Sequence, residues 1–225
     1  MKRDKMRRET EKTVILSLVF AFIAITVAAY GSTVTIEDSL GRSVTVPGEV
    51  ERIVGVEAGA LRLITYLEAT DLVVGVENFE KRDRKRPYRL AHPEFGELPS
   101  VGPIHGGDPE LLVSARPDVI FWTYTTRGKA NDLQAKTGIP VIGLNYGGPR
   151  SMTRDDFYST LRLMGEVLDR EERAEEVIEF INDEIETLRG KVDGGEESGP
   201  SAFVGGIGYR GAHGIVSTEP AYPPF

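Results

Sequence analysis

From Arg52 to Leu144 the chain passes twice through the same pattern: a short β-branched run, a loop, a helical stretch and another β-branched run. The first pass is Arg-Ile-Val-Gly-Val-Glu (52–57), a helical segment over Ala58–Glu68, and Asp-Leu-Val-Val-Gly-Val-Glu (71–77). The second is preceded by a helix over Asp108–Ala115, with Asp108 as N-cap and Pro109 at the first helical position. It runs through Asp-Val-Ile-Phe-Trp (118–122), a helix over Gly128–Lys136, and Gly-Ile-Pro-Val-Ile-Gly-Leu (138–144). Strands that are apolar without alternation are buried on both faces, so the pattern predicts an α/β fold with a parallel, Rossmann-like sheet covered by helices. Sheets of this kind hold ligands outside the carboxyl ends of their strands. The residues to watch are therefore Glu57, Gly59, Glu77 to Phe79, Ile104, His105, Trp122 to Thr125, Asn145 and Tyr146, with Trp122 read as core rather than contact.

The flanks define the organisation. Thr33 to Val46 alternates around Asp-Ser-Leu-Gly and reads as an edge hairpin ended by Pro47 and Gly48. The connection from Glu77 to Val101 is long, proline-punctuated and basic (Lys81, Arg82, Arg84, Lys85, Arg86, Arg89), either a functional loop or a solvated charged excursion. From Thr153 the period becomes helical. Phe157, Leu161, Met164 and Leu168 mark one face; Ala174, Val177, Ile178, Ile181, Ile185 and Leu188 mark the next. Capping-box patterns at Thr153/Asp156 and Asp169/Glu172 predict two helices, the second about 20 residues and roughly 30 Å long. Ser201–Val204 then reads as a strand, but only 25 residues follow Pro200, against the ~50 a packed domain needs. The expected organisation is an amino-terminal α/β lobe (33–150), a helical linker (153–192) and an incomplete carboxyl-terminal lobe (200–225).

Ahead of the hairpin, residues 1–31 carry Lys2, Arg3, Lys5, Arg7, Arg8 and Lys12 before the apolar run Val14–Ala29, the layout of a signal peptide. If uncleaved, residues 14–30 are just long enough for membrane contact as an anchor. An exported, periplasmic or cell-surface location is expected. The first twelve residues are net basic, so the rest is more acidic than the total of −8, which argues against nucleic acid as a partner. With no cysteine, disulfides and thiolate metal sites are excluded, and a cysteine-linked lipid anchor is not expected.

Motifs of catalysis are missing. Gly206-Ile-Gly-Tyr-Arg-Gly211 matches G-x-G-x-x-G after a strand, yet no helix pattern follows to aim at a pyrophosphate, so a loop of close backbone approach is the better account. His92, His105 and His213 stand in no local metal-binding spacing. Neither a G-x-S-x-G elbow nor a phosphate loop occurs. The aromatic, amide and carboxylate groups at the strand ends suit holding a ligand by stacking and hydrogen bonds, and the chain is read as a non-enzyme without intrinsic cofactor.

In order along the chain, Arg-Ile-Val (52–54), Leu-Glu-Ala-Thr-Asp-Leu-Val-Val-Gly-Val (67–76), Leu-Pro-Ser-Val-Gly (98–102), Pro-Glu-Leu-Leu-Val-Ser-Ala-Arg-Pro-Asp-Val-Ile (109–120) and Gly-Glu-Val-Leu-Asp-Arg-Glu-Glu-Arg-Ala-Glu-Glu (165–176) resemble the class III substrate-binding proteins of ABC importers. That family serves iron-siderophores, haem and cobalamin. The resemblance implies two α/β lobes joined by a long linker helix, the ligand between them, and delivery to a permease and its ATPase. It implies ligand-binding roles for Glu57, Phe79, His105, Tyr124 and Tyr146 on the amino lobe, with Tyr209, Arg210 and His213 facing them. Glu110 matches the family's permease-docking glutamate, and a solvated glutamate at a helix start would look the same. The expected ligand is an iron chelate or a cobalamin-type metal complex, with Arg84 to Arg89 meeting an anionic chelate. Rival readings are a direct metal-ion binding protein, a non-transporting surface sensor or adhesin, and an α/β enzyme.

Overall fold

The computed structural model describes residues 32–82, 85–145 and 153–192. Two strands, β1 (Thr33–Glu37) and β2 (Ser43–Pro47), pair antiparallel with Thr33 opposite Pro47 and Glu37 opposite Ser43. Their alternation works as period 2 requires: Ile36, Val44 and Val46 turn inward while their neighbours face solvent.

The central sheet holds β3 (Ile53–Val56), β4 (Val73–Gly75), β5 (Val119–Thr123) and β6 (Val141–Leu144) in the order β4-β3-β5-β6, all parallel. Helices run in chain order as α1 (Ala60–Tyr66), α2 (Asn78–Arg82), α3 (Pro87–Ala91), α4 (Pro109–Ala115), α5 (Arg127–Thr137), α6 (Arg154–Leu168) and α7 (Glu171–Val192). Successive strand residues feed opposite sides of the sheet. Ile53, Phe121 and Ile142 join Leu63, Ile64, Leu161 and Met164 on one side; Val54, Ile120, Trp122 and Val141 join Leu112, Ala130 and Leu133 on the other. Continuous apolar runs are thus what a sheet covered on both faces demands.

Boundaries follow local chemistry. Asp108 accepts the Glu110 and Leu111 N–H groups and starts α4 at Pro109. Thr153 and Asp156 form the expected reciprocal capping box on α6. Asp169 is a correction: it adopts a left-handed conformation (φ 55°) and closes α6, with the Arg170 N–H returning to the Gly165 carbonyl, so it ends one helix instead of opening the next. Helix α7 buries Ala174 and Ile178 against the same core, whereas Phe180 and Leu188 face solvent.

A second difference lies between Glu77 and Val101. The segment expected as a loop is built of α2, α3 and a 3-10 turn (Pro93–Gly96), anchored by the fully buried Phe95. Prolines at 87 and 93 start these pieces because they fill first-turn positions, where no intrahelical N–H is needed.

The hairpin closes one edge of the sheet. Ser39 N–H donates to the Gly143 carbonyl at 3.1 Å, and Gly143 N–H donates to Asp38 Oδ2 at 2.9 Å, so β6 does not present free groups there. At Gly143 a Cβ would run into the Leu40 side chain, so a larger residue there needs Leu40 to shift.

Candidate functional site

The strand order places a topological switch between β3 and β5: the chain leaves β3 for β4 on one side and returns to β5 on the other. Loops diverge there and leave a crevice at the carboxyl ends. A cleft of about 610 Å³ opens at this point, lined by Ala58 and Gly59 after β3, Tyr124 after β5, Arg62 and Tyr66 of α1, and Arg86 and Tyr88 at the start of α3. Glu57 (φ 74°) and Tyr124 (φ 49°) are left-handed non-glycine residues directly following these strands, a costly conformation typical of ligand clamps.

The cleft's charge is one-signed. Among the described residues Arg62 and Arg86 line it and no carboxylate does, with Arg86 also 3.5 Å from Glu80 Oε1. Behind the wall, Tyr88 Oη donates to Glu80 Oε1 at 2.8 Å and accepts from Arg86 Nη1 at 2.9 Å. Burial, with the Glu80 carboxylate beside it, pushes the Tyr88 phenol up to about 12, so it stays a neutral donor.

Beside the cleft stands a second cluster. His105 Nδ1 lies 2.7 Å from Glu57 Oε2, with the imidazole largely in solvent and the carboxylate largely covered. Beneath them Glu77 is buried and accepts the Glu57 N–H at 2.9 Å and the Gly106 N–H at 3.5 Å. Burial raises the Glu77 carboxyl from 4.5 to about 7; the two N–H donors pull it back, and the Glu57 and Glu80 charges push it further up. Gly106 (φ 123°) lies flat on Trp122, where a Cβ would come within 2.6 Å of the indole. Gly106→Ala combines overpacking with a forbidden φ, and we expect a loss of about 2–3 kcal/mol in urea denaturation with a red shift in the emission of Trp122, the chain's single tryptophan.

Of the sequence-derived site residues, Tyr124 lines the cleft, and Glu57, next in the chain to the lining residue Ala58, pairs with His105 without either lining it. Phe79 is half-buried, with the Arg86 guanidinium 4.0 Å above its ring. Glu110 is exposed in the first turn of α4. Tyr146, Tyr209, Arg210 and His213 lie outside the described residues, as do Arg84, residues 14–30 and the expected carboxyl lobe. Within the basic segment Arg89 is a correction: it is buried, donating to the Glu80 and His92 carbonyls, and does not reach solvent. Trp122 is core, as expected. Sequence reasoning missed Arg62, Tyr66 and Tyr88. Arg62 and Tyr66 stand four residues apart on the helix directly after β3, and that spacing on a strand-following helix was the available signal.

A helix-covered parallel sheet with a ligand-sized crevice at its switch point has the form of a solute-binding lobe. The chain belongs to the periplasmic binding protein family, whose model matches residues 53–222. Among curated proteins it is 26% identical over 159 residues to the molybdate-binding protein MolA of Haemophilus influenzae, covering 64% of this chain and 45% of that one. The solved structure of MolA bound to molybdate superposes with a TM-score of 0.58 at 23% identity, covering 68% of this chain and 52% of that one. A periplasmic solute binding protein from Veillonella parvula gives a TM-score of 0.63 at 20% identity (75% and 51% covered), and the petrobactin-binding protein of Bacillus subtilis 0.58 at 19% (72% and 54% covered). The fold is therefore that of these periplasmic solute-binding proteins. These relatives are solute-binding proteins, not enzymes, and the chain spans about half the length of each. Among the described residues no helix is long and apolar enough to cross a membrane, and no three His, Asp or Glu side chains gather into a metal-holding group.

Proposed function

We propose that this chain is the solute-binding component of an ABC importer, acting outside the cytoplasm without catalysis and handing an anionic metal complex to a permease driven by its ATPase. The observation that carries the reading is the cleft at the switch point, where the charged lining residues among those described, Arg62 and Arg86, are both cationic. Its volume of about 610 Å³ falls within the ~300–1,000 Å³ of small-molecule sites. Three tyrosines on the wall offer stacking surface for an organic body. An iron chelate with carboxylate or catecholate arms meets these requirements better than neutral solutes do, and a cobalamin-type complex is the next choice. A bare oxyanion is the second reading. It is favoured by the molybdate-binding relative, but it would leave most of the cleft to water. In the same proposal Glu110, with the exposed apolar Leu111 and Val113 beside it, is the permease contact.

Isothermal titration of the chain with ferric siderophores, haem, cobalamin and molybdate tests the reading. The expected result is binding of an anionic ferric chelate, weakened at least about tenfold by Arg62→Glu because a half-buried favourable charge becomes repulsive. Heat from molybdate alone would move the assignment to oxyanions. Absence of binding to all four, or full affinity in Arg62→Glu, would reject it.

A further inference from the structure

Beneath the Glu57–His105 pair a buried carboxyl group, that of Glu77, holds two separate loops. We propose that Glu77 is a positioning residue: by accepting the Glu57 and Gly106 N–H groups together it clamps the turn after β3 to the Pro103–Gly107 loop, keeps the Glu57–His105 pair beside the solute cleft, and releases that loop when it takes up a proton. The positioning role rests on the solute-binding reading, whereas the clamp itself does not.

The geometry is specific. The base of the loop is tied without Glu77, since Asn78 N–H donates to the Gly102 carbonyl at 2.8 Å and Asp108 N–H to the Val101 carbonyl at 2.7 Å. The far end has the Gly107 N–H on the Pro103 carbonyl at 3.2 Å and the Gly106 N–H on Glu77 at 3.5 Å. Both residues the clamp fixes, Glu57 and His105, are left-handed (φ 74° and 84°), so their placement needs a restraint from outside the local chain. An ionised carboxylate offers two acceptor oxygens, one for each N–H, while a protonated one turns one oxygen into a donor. The longer Gly106 contact is the one to be lost. Charged groups facing Glu77 are Glu57 from the end of β3 and Glu80 from α2, with His105 one contact beyond through Glu57 and Arg86 and Arg89 beyond Glu80. The two neighbouring carboxylates act in one direction, favouring the proton, and the carboxyl's place near pH 7 puts the change within reach of ordinary conditions.

The test needs no solute, so its failure is distinguishable from failure of the transport reading. In NMR titration of the isotopically labelled chain from pH 5 to 8.5, the Gly106 and Glu57 amides are expected to shift together with one midpoint near 7, matching that of the Glu77 side-chain carboxyl carbon. Glu77→Gln removes the shared step, and His105→Gln, which takes away the neighbouring imidazole, retains it. Persistence of the step in Glu77→Gln, its loss in His105→Gln, or a carboxyl midpoint separated from that of the amides by more than one pH unit overturns the proposal. The last comparison uses the unsubstituted chain and holds even if Glu77→Gln does not fold.

Discussion

Asp38→Ala is expected to cost about 3–5 kcal/mol in urea denaturation, a large share of the ~5–15 kcal/mol by which an ordinary domain is stable. The side chain has no solvent exposure and accepts five hydrogen bonds: Leu40 and Arg42 N–H on Oδ1, and Arg42 Nε, Arg42 Nη2 and Gly143 N–H on Oδ2. Removing it leaves the Arg42 guanidinium, itself only 7% exposed, without its counter-charge. Arg42 would keep only the Val141 carbonyl and Asn131 Oδ1 at 2.9 Å. It also frees a backbone donor of β6 and unfastens the hairpin from the sheet edge. Stranding a buried charge is far costlier than deleting a surface pair, so the double change Asp38→Ala with Arg42→Met should recover a good part of the loss. A measured cost under 1 kcal/mol, or no recovery in the double variant, would show that the hairpin is held by Ile36, Val44 and Val46 alone.

That staple was not legible in the sequence, and the reason is physical. Asp-Ser-Leu-Gly reads correctly as a turn from local spacing, but the partner of Asp38 on β6 is 105 positions away, a separation on which periodicity is silent. The parallel sheet was legible because burial on both faces leaves its mark in every strand: Val-Ile-Phe-Trp cannot sit anywhere half-exposed. Caps were legible where one residue decides them, as at Asp108 and Thr153, and misread at Asp169, where a left-handed C-cap and an N-cap share the same residue preference. Among the candidate site residues, Glu57, His105 and Tyr124 were read as strand-end residues, and Tyr124 lines the cleft while Glu57 and His105 pair beside it. Arg62 and Tyr66 were not, since their spacing on the helix after β3 says that they share a face but not whether that face looks onto a crevice or onto water. The basic run split for a related reason: Arg86 reaches the cleft and Arg89 turns inward, a choice made by Glu80 and the packing of Phe95 and not by the charge pattern.

The second large effect concerns pH and the buried carboxyl of Glu77. A carboxyl that titrates at about 7 in the folded chain and near 4.5 when unfolded binds its proton more tightly in the native state. Between those values the native state holds more protons, so stability falls as pH rises: the contribution is fully present below about 4.5 and is gone above about 7. At about 1.4 kcal/mol per pH unit the whole span corresponds to about 3 kcal/mol. Glutamine at this position does not titrate. The stability of Glu77→Gln relative to the unsubstituted chain should therefore climb by about 2–3 kcal/mol between pH 4.5 and 8, whatever constant offset the amide introduces by facing the Gly106 N–H. Taking the difference between the two chains cancels the titration of groups they share, which isolates this one carboxyl from the acidic surface around it. A difference that stays flat within 0.5 kcal/mol, or that falls with pH, would mean Glu77 is ionised at ordinary cost in the folded state, and the two N–H groups it accepts would then outweigh its burial.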